Sequence, residues 1–470
     1  ERTQEAGLLG EVGGLNLIQA DYDNDGFPDV LVLRGAWLNV AGHLPNSLLR
    51  NNGDGTFADV TEEAGLLSFH PTQTATWFDF NNDGWIDLYI GNESGTGEVH
   101  PCELYRNNAD GTFTECAAGA GVANVAFVKG VTSGDYDNDG WPDLYLSRRG
   151  QLNVLYHNDG PKAPDRNPKG AWQFTDVTLQ TGVTQPLASF PTWFWDYDND
   201  GWLDIFVAGS YLKDIGNVAA DYLGLPHVGE GGRLYRNNGN GTFSDVMKAV
   251  RLDKILSAMG CNFGDLDNDG YLDFYIGNGD PDFSTILPNR MFRNASGKLF
   301  QDVTTSGGFG HLGKGHGVSF GDLDNDGDQD IYVVMGGAYS DDSSHNVLFQ
   351  NPGHGNHWIT LKLEGVRSNR AAIGARIKIV VQSGSGDRAI FKTVSTGGSF
   401  GASPLRQEIG LGDAKAIRRV EVSWPASGRI QAFENLAMDQ VYQIREGEPE
   451  AALLKLKRFK FAVGPIKPSP

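Results

Sequence analysis

A nine-residue acidic string recurs six times at nearly regular spacing, and any fold for this chain must repeat with it. It reads DYDNDGFPD from Asp21, DFNNDGWID from Asp79, DYDNDGWPD from Asp135, DYDNDGWLD from Asp196, DLDNDGYLD from Asp265 and DLDNDGDQD from Asp322. Successive copies lie 58, 56, 61, 69 and 57 residues apart. A second motif keeps phase with the first. LLRNNGDGTFADV, LYRNNADGTFTEC, LYHNDG, LYRNNGNGTFSDV and MFRNASGKLFQDV each place an Asn/Gly turn beside apolar runs, the pattern of a β-hairpin. One strand enters each acidic loop and one leaves it, so a repeat holds about four short strands and no long helical period. Four-stranded units repeated in this way make a β-propeller. The expected fold is all-β, with six repeats counted and six or seven blades. The start, ERTQEAGLLG, resembles DVTEEAGLLS at residues 59–68, the tail of a repeat rather than its head. Residues 1–10 are therefore expected to complete the last blade and close the ring, which removes exposed sheet edges. The same likeness makes residue 1 read as a mature or trimmed end. Insertions at 158–171 and 207–232 lengthen the third and fourth repeats as ordinary loop growth, the latter with a short helix around KDIGNVAADYLGL.

Positions 1, 3, 5 and 9 of each string carry an acid or, once, its amide, and position 6 is glycine. Converging carboxylates raise one another's pKa values and destabilise a loop unless a cation neutralises them. An Asx-turn needs only one or two such side chains. Calcium is a hard cation that takes about 6–8 oxygens at roughly 2.3–2.6 Å. No His or Cys stands at a ligand position, which disfavours a transition metal. The opening resembles an EF-hand loop, but position 12 lacks Glu and strands flank the string. The expected ligands of the first loop are Asp21, Asp23, Asp25 and Asp29, with the main-chain carbonyl of Phe27 at position 7. The equivalent sets are Asp79, Asn81, Asp83 and Asp87 with Trp85; Asp135, Asp137, Asp139 and Asp143 with Trp141; and Asp196, Asp198, Asp200 and Asp204 with Trp202. The last two are Asp265, Asp267, Asp269 and Asp273 with Tyr271, and Asp322, Asp324, Asp326 and Asp330 with Asp328, an added acid. About six Ca²⁺ sites follow, the second weakened by Asn81. Trp85, Trp141 and Trp202 are expected to pack between blades.

From about residue 355 the acidic loops vanish, Arg and Lys increase, and alternating segments such as HWITLKLEG, ARIKIVVQS and RRVEVSWP read as a β-sandwich. The expected domains are a propeller over 1–354, a sandwich over 355–446 and a tail over 447–470. The acidic loops with their RNN-DGTF-DV hairpins resemble the FG-GAP/VCBS repeats of integrin-type propellers. NHWITLKLEGVRSNRAAIGARI, EIGLG and VEVSWPASG resemble the ASPIC/UnbV module. The combination is similar to bacterial relatives of cartilage acidic protein and covers nearly the whole chain. The resemblance implies a calcium-binding propeller carrying a transthyretin-like sandwich. The calcium-binding EGF module of animal members is missing.

The formal charge of −21 argues against nucleic acid or an anionic membrane as partner. No apolar run reaches the roughly 20 residues of a spanning helix, so membrane insertion is not expected. Cys102 and Cys116 bracket a hairpin and are expected to form a disulfide, which implies an oxidising compartment; Cys261 reads as a buried thiol. With no signal peptide in this chain, the expected location is extracellular, periplasmic or cell-surface. The sequons at Asn92, Asn240 and Asn294 matter only in a eukaryotic host.

Two short motifs are set aside. GGSFG at 397–401 fits the nucleophile-elbow pattern around Ser399, but turn and strand follow it rather than a helix. GFGHLG at 308–313 leads into an acidic loop, unlike a dinucleotide fingerprint. No HExxH or convergent Cys/His set is visible. Gln73, Lys129, Met259 and His316 each stand six residues before a loop, on strands expected to line the central channel. Lys129 and His316 have acid/base capability and carry the enzyme alternative, a lyase or dehydratase site in that channel. The favoured function is non-catalytic: an exported, calcium-stabilised propeller that binds a protein or glycan in adhesion, or serves as an extracellular structural module.

Overall fold

The computed structural model describes residues 2–461 apart from 37, 39–41, 162–171, 211–214, 280–285, 337–343 and 385. Parts of both insertions and the end of the tail lie outside these. The chain is all-β, with antiparallel four-stranded sheets that recur in step with the acidic strings. The first blade runs Asn16–Ala20, Asp29–Leu33, Ser47–Asn51 and Phe57–Asp59, paired in sequence order. Blades two to five repeat it from inner strands Thr72–Phe78, Val128–Gly134, Ser189–Trp195 and Ala258–Gly264. In the inner blades both sheet faces pack on neighbours, so Thr72–Phe78 and Asp87–Asn92 are buried at every position despite their polar residues. Each acidic string forms the turn between an inner strand and the next. Helix Ile215–Tyr222 lies in the fourth blade's insertion, where the sequence placed one.

Two rails of hydrogen bonds fasten blade to blade. In the first, the Asn at loop position 4 donates through Nδ2 to the position-6 glycine carbonyl of the next blade. These bonds are Asn24 to Gly84 (3.1 Å), Asn82 to Gly140 (2.7 Å), Asn138 to Gly201 (3.5 Å), Asn199 to Gly270 (2.9 Å) and Asn268 to Gly327 (3.0 Å). In the second, the hairpin Asn reaches back to the position-2 carbonyl of the preceding blade. These are Asn107 to Tyr22, Asn158 to Phe80, Asn237 to Tyr136, Asn294 to Tyr197 and Asn351 to Leu266, at 2.7–2.9 Å. The second rail satisfies main-chain carbonyls that lie buried or partly buried between blades.

Both rails stop between blades six and one. Asn325 donates instead to the carbonyl of Lys457 in the C-terminal tail at 3.1 Å, and Asn51 reaches only Pro28 of its own blade. The expectation that residues 1–10 complete the last blade is not met. Residues 2–8 form a turn whose Ala6 carbonyl accepts from Phe57 N–H of the first blade. The equivalent turn after the first blade presents Ala64 to Phe113 in the same way, so the likeness of the two segments reflects this packing role. Blade six is three-stranded among the described residues: Gly315–Gly321, Asp330–Met335 and Val347–Phe349. Its outer face leaves Tyr332 and Val334 exposed, opposite exposed Leu17 of blade one. A cavity of about 720 Å³ lies in this seam.

After Phe349 the chain forms a sandwich. One sheet orders Gln407–Gly412, His357–Glu364, Gln440–Arg445 and Ala452–Leu454. The other orders Gly386–Thr393, Arg376–Ser383, Ala416–Ser423 and Ile430–Glu434. Ala452–Leu454, expected in the tail, pairs with Gln440–Arg445 and belongs to the sandwich. The sandwich core of Ile359, Ile377, Ile379, Val420 and Trp424 is continuous with Ile18, Leu31 and Trp77 of the first two blades.

Residues 395–406 leave the sandwich and enter the centre of the propeller, touching all six inner strands. The Ser399 carbonyl accepts from Asn16 (3.0 Å) and Thr74 (3.4 Å), and its Oγ accepts from Thr192 N–H at 2.9 Å. Gly398 N–H donates to Asn262 Oδ1 at 3.1 Å, and Phe400 forms a β-bridge with Cys261. A Cβ at Gly130 would press on Ser399 Oγ, and one at Gly401 would collide with the Val318 carbonyl. GGSFG is therefore a plug, and Ser399 is 2% exposed.

The expected disulfide is absent: Cys102 and Cys116 are free thiols. The hairpin register pairs Tyr105 with Glu115, so Cys116 falls beside Leu104, to whose carbonyl its N–H donates at 2.7 Å. Cys102 lies further along the strand, and the inference of an oxidising compartment loses that support. Asn92 and Asn294 are fully buried, which leaves Asn240 the exposed sequon.

Candidate metal centre

Each acidic loop is built by its own spacing. Position 4 takes the left-handed conformation in all six copies, with φ from 52° to 61°, and the position-6 glycine follows at φ 88–99°. Asn tolerates the first and only Gly is at ease in the second, which turns alternate side chains toward one point. The position-1 carboxylate accepts from the glycine N–H, as Asp21 Oδ2 does from Gly26 at 2.9 Å and Asp79 Oδ2 from Gly84 at 2.8 Å. The position-5 carboxylate accepts from the position-7 N–H in every loop: Asp25 from Phe27, Asp83 from Trp85, Asp139 from Trp141, Asp200 from Trp202, Asp269 from Tyr271 and Asp326 from Asp328. The position-9 carboxylate ties loop to hairpin. Asp204 accepts from Tyr197 N–H and Asn237 N–H, and Asp273 from Leu266 N–H and Asn294 N–H.

The remaining oxygens converge. Donor oxygens of Asp21, Asp23 and Asp29 lie within 4.8 Å of one another, as do those of Asp135, Asp137 and Asp143, and those of Asp196, Asp198 and Asp204. Oδ1 atoms of Asp21, Asp198, Asp267 and Asp324 are buried with no hydrogen-bond donor. A buried carboxylate oxygen without a donor costs about 1–3 kcal/mol or more. An all-oxygen set with such orphans fits a hard cation. Burial is the first cause of raised carboxyl pKa values throughout: Asp21 and Asp135 are pushed up to about 6, Asp196 and Asp265 to about 7, and Asp29 and Asp79 to about 8. Asp87, Asp143, Asp204 and Asp273 rise well above the usual carboxylate range for the same reason.

Trp141 packs on Trp172, at 5.0 Å between ring centroids, and against Gly160, beside the apolar cluster that blades two and three share. Trp202 lies against Gly239, on the hairpin of its own blade. Asp328 turns to the preceding blade, where its Oδ1 accepts from Asn268 at 2.9 Å.

The spacing did not reveal an outer ring of partners. Arg236 binds Asp198 (2.6 Å) and Asp200 (2.7 Å), Arg293 binds Asp267 and Asp269, His157 binds Asp137 (3.1 Å), and Gln350 donates to Asp324 (2.9 Å). All four occupy the third position of the hairpin motif, so the repeated Arg was the available signal. The hydrogen bond to Asp137 leads the causes that raise His157 to about 10. The sandwich adds basic groups above the loops. The main-chain N–H of Arg370 donates to Asn24 Oδ1, and guanidinium groups make the other contacts: Arg376 binds Asn138 and the Gly201 carbonyl, Arg388 binds the Asp269 carbonyl, and Arg406 binds Asn325 and the Asp322 carbonyl. Lys392, whose Nζ is buried, feels Asp265 and Asp196 of adjacent loops; burial comes first among the causes that lower its pKa.

In the channel, Lys129 is fully buried and donates to Glu93 (2.5 Å) and Gln73 (3.0 Å), and burial lowers it to about 8. The plug ring Phe400 packs on Phe190, whose ring lies 5.3 Å from Lys129 Nζ. His316 is half-buried with Nδ1 3.3 Å from the Lys314 carbonyl. Gln73 and Lys129 thus meet, while the His316 main chain lies against Gly260 of the preceding blade. A convergent histidine set, unseen in the sequence, does exist: His43, His70 and His100 gather with Glu98 from three distant stretches.

The FG-GAP-like repeat model matches residues 21–90, 79–146, 135–207 and 196–276, and the ASPIC and UnbV model matches residues 365–451. Cartilage acidic protein 1 of Mus musculus is 24% identical over 472 residues, covering 93% of this chain and 66% of that protein. Cartilage acidic protein 1 of Homo sapiens is 23% identical over 462 residues, covering 92% and 62%. The chain therefore spans just under two thirds of these relatives' length. A solved structure of BBS1N in complex with ARL6DN is similar at TM-score 0.37 and 8% identity, over 90% of this chain and 92% of that one.

Proposed function

The chain belongs to the FG-GAP-like repeat family and carries a C-terminal ASPIC and UnbV domain, and on that premise we propose that it is an exported, calcium-stabilised propeller that binds a protein or glycan or serves as an extracellular structural module. The observation that carries the calcium part is the set of buried, donorless Oδ1 atoms at Asp21, Asp198, Asp267 and Asp324, each inside a loop of further carboxylates. Positions 1, 3, 5 and 9 of each loop would hold the ion, with the position-7 carbonyl; in the sixth loop Asp328 faces elsewhere. A bound Ca²⁺ supplies charge neutralisation and oxygen coordination, and its binding energy becomes folding energy. Arg236, Arg293 and His157 hold the outer oxygens and so orient the carboxylates.

Export to an extracellular, periplasmic or cell-surface location is supported by the acidic-repeat family and by calcium, which is plentiful there. No helix among the described residues is long and apolar enough to cross a membrane. The binding reading is favoured over the lyase or dehydratase alternative because residues 395–406 occupy the channel above Lys129. A test is to immobilise the chain and probe it with glycan and extracellular-protein arrays, with calcium and with chelator. Calcium-dependent retention of a defined ligand supports the proposal. Turnover of a small substrate in solution, abolished by Lys129→Met, would overturn it.

A further inference from the structure

In each blade the acidic loop joins the first two strands, so the turn between the second and third strands lies at the opposite end of the propeller. At that end, His43 of blade one and Glu98 and His100 of blade two approach each other beside the connection carrying His70. We propose that His43, Glu98 and His100 form a second kind of metal site there, a three-ligand site for zinc or a similar borderline divalent ion.

The geometry carries it. Glu98 Oε2 lies 3.3 Å from His43 Nε2 and 3.2 Å from His100 Nε2, and the three donor atoms fall within 4.8 Å of one another. Tetrahedral ligands at about 2.05 Å from zinc stand about 3.4 Å apart, so little movement closes the set. Two imidazoles and one carboxylate suit zinc, and the nitrogen donors separate this site from the all-oxygen loops. His100 is buried while His43 is exposed, which gives the site one fixed ligand and one that solvent reaches. His70 supplies the outer contact: its Nδ1 lies 2.9 Å from His100 Nδ1. With His100 Nε2 on the ion, its Nδ1–H donates to His70, which sets tautomer and ring orientation. A cavity of about 110 Å³ adjoins Glu98 and His100, lined also by Glu93, Gly95, Thr96 and Phe127. Three protein ligands beside such a space describe an open site whose fourth position takes water or a small ligand.

The test is zinc and cobalt titration of the full chain in saturating calcium. The expected result is about one equivalent of Zn²⁺ per chain that calcium does not displace, with tetrahedral cobalt absorption on substitution. His43→Gln, at an exposed side chain, should abolish that equivalent without altering the melt, as should Glu98→Gln combined with it. His70→Phe, which removes only the outer contact, should weaken binding by about 10–100-fold. Absence of a zinc equivalent in the wild type, or its persistence in His43→Gln, would overturn the proposal and leave the cluster as two histidines hydrogen-bonded to one carboxylate.

Discussion

The two rails between blades predict that one residue type, at equivalent positions, matters unequally. Asn237 is buried; its Nδ2 donates to Tyr136 of the preceding blade (2.8 Å) and to Leu203 (3.0 Å), and its Oδ1 accepts from Gly239 N–H (2.9 Å). Asn51 accepts from Gly53 N–H in the same way, but its Nδ2 has only the Pro28 carbonyl, at an exposed site. Alanine at 237 leaves two buried carbonyls without donors, at about 1–3 kcal/mol each. Adding the turn bond common to both, worth about 0.5–1.5 kcal/mol, gives about 2.5–7.5 kcal/mol for Asn237→Ala. The exposed bond at Asn51 is worth about 0.5–1.5 kcal/mol, so with the turn bond Asn51→Ala should cost about 1–3 kcal/mol. At about 2.1 cal/mol/K per residue, a chain this size melting as one unit loses roughly 1 °C per kcal/mol. Differential scanning calorimetry in saturating calcium should show Tm falling by about 2.5–7.5 °C for the first variant and about 1–3 °C for the second. Equal losses would refute the reasoning, because they would mean that Asn51 has an interblade partner and the seam is closed.

Raised carboxyl pKa values set the pH behaviour of the metal-free chain. Asp21, Asp135, Asp196, Asp265, Asp29 and Asp79 titrate at about 6 to 8 when folded and near 3.9 when unfolded, so the folded state binds more protons between. Their contribution to stability is present below about pH 4 and lost as pH rises to 8. In chelator, urea midpoints should fall across this window, while added calcium should stabilise most at its upper end. Gly401→Ala puts a Cβ into the Val318 carbonyl at φ 145° and should loosen the plug. Limited proteolysis should then cut residues 395–406 several-fold faster than in wild type, and an unchanged rate would contradict the insertion.

The acidic loops were legible because their logic is local: nine consecutive residues contain the carboxylates, the glycine and the left-handed Asn. What that Asn does was not legible, although it stands in all six strings, because its partner is a carbonyl about sixty residues on. Separations of 24–38 residues hid Arg236 and Arg293, which belong to the hairpin motif in sequence and to the carboxylates in space. Cys102 and Cys116 show the limit of hairpin arithmetic: the flanks meet, but the register places Leu104 where a disulfide needed Cys102. GGSFG could be refused as a nucleophile elbow from its lack of a helix, yet its insertion between six inner strands is a property of two domains docked together. His43, His70 and His100 share no motif and met only when blades one and two were side by side.

Calcium stoichiometry by equilibrium dialysis of the full chain at neutral pH, after exhaustive chelation, tests the central claim most directly. Six loops with four ligand side chains each predict about six Ca²⁺ per chain, accompanied by a large rise in Tm. Retention of fewer than one ion, with a melt identical to that in chelator, would show that the arginines and buried protons alone neutralise the carboxylates, and would contradict the account.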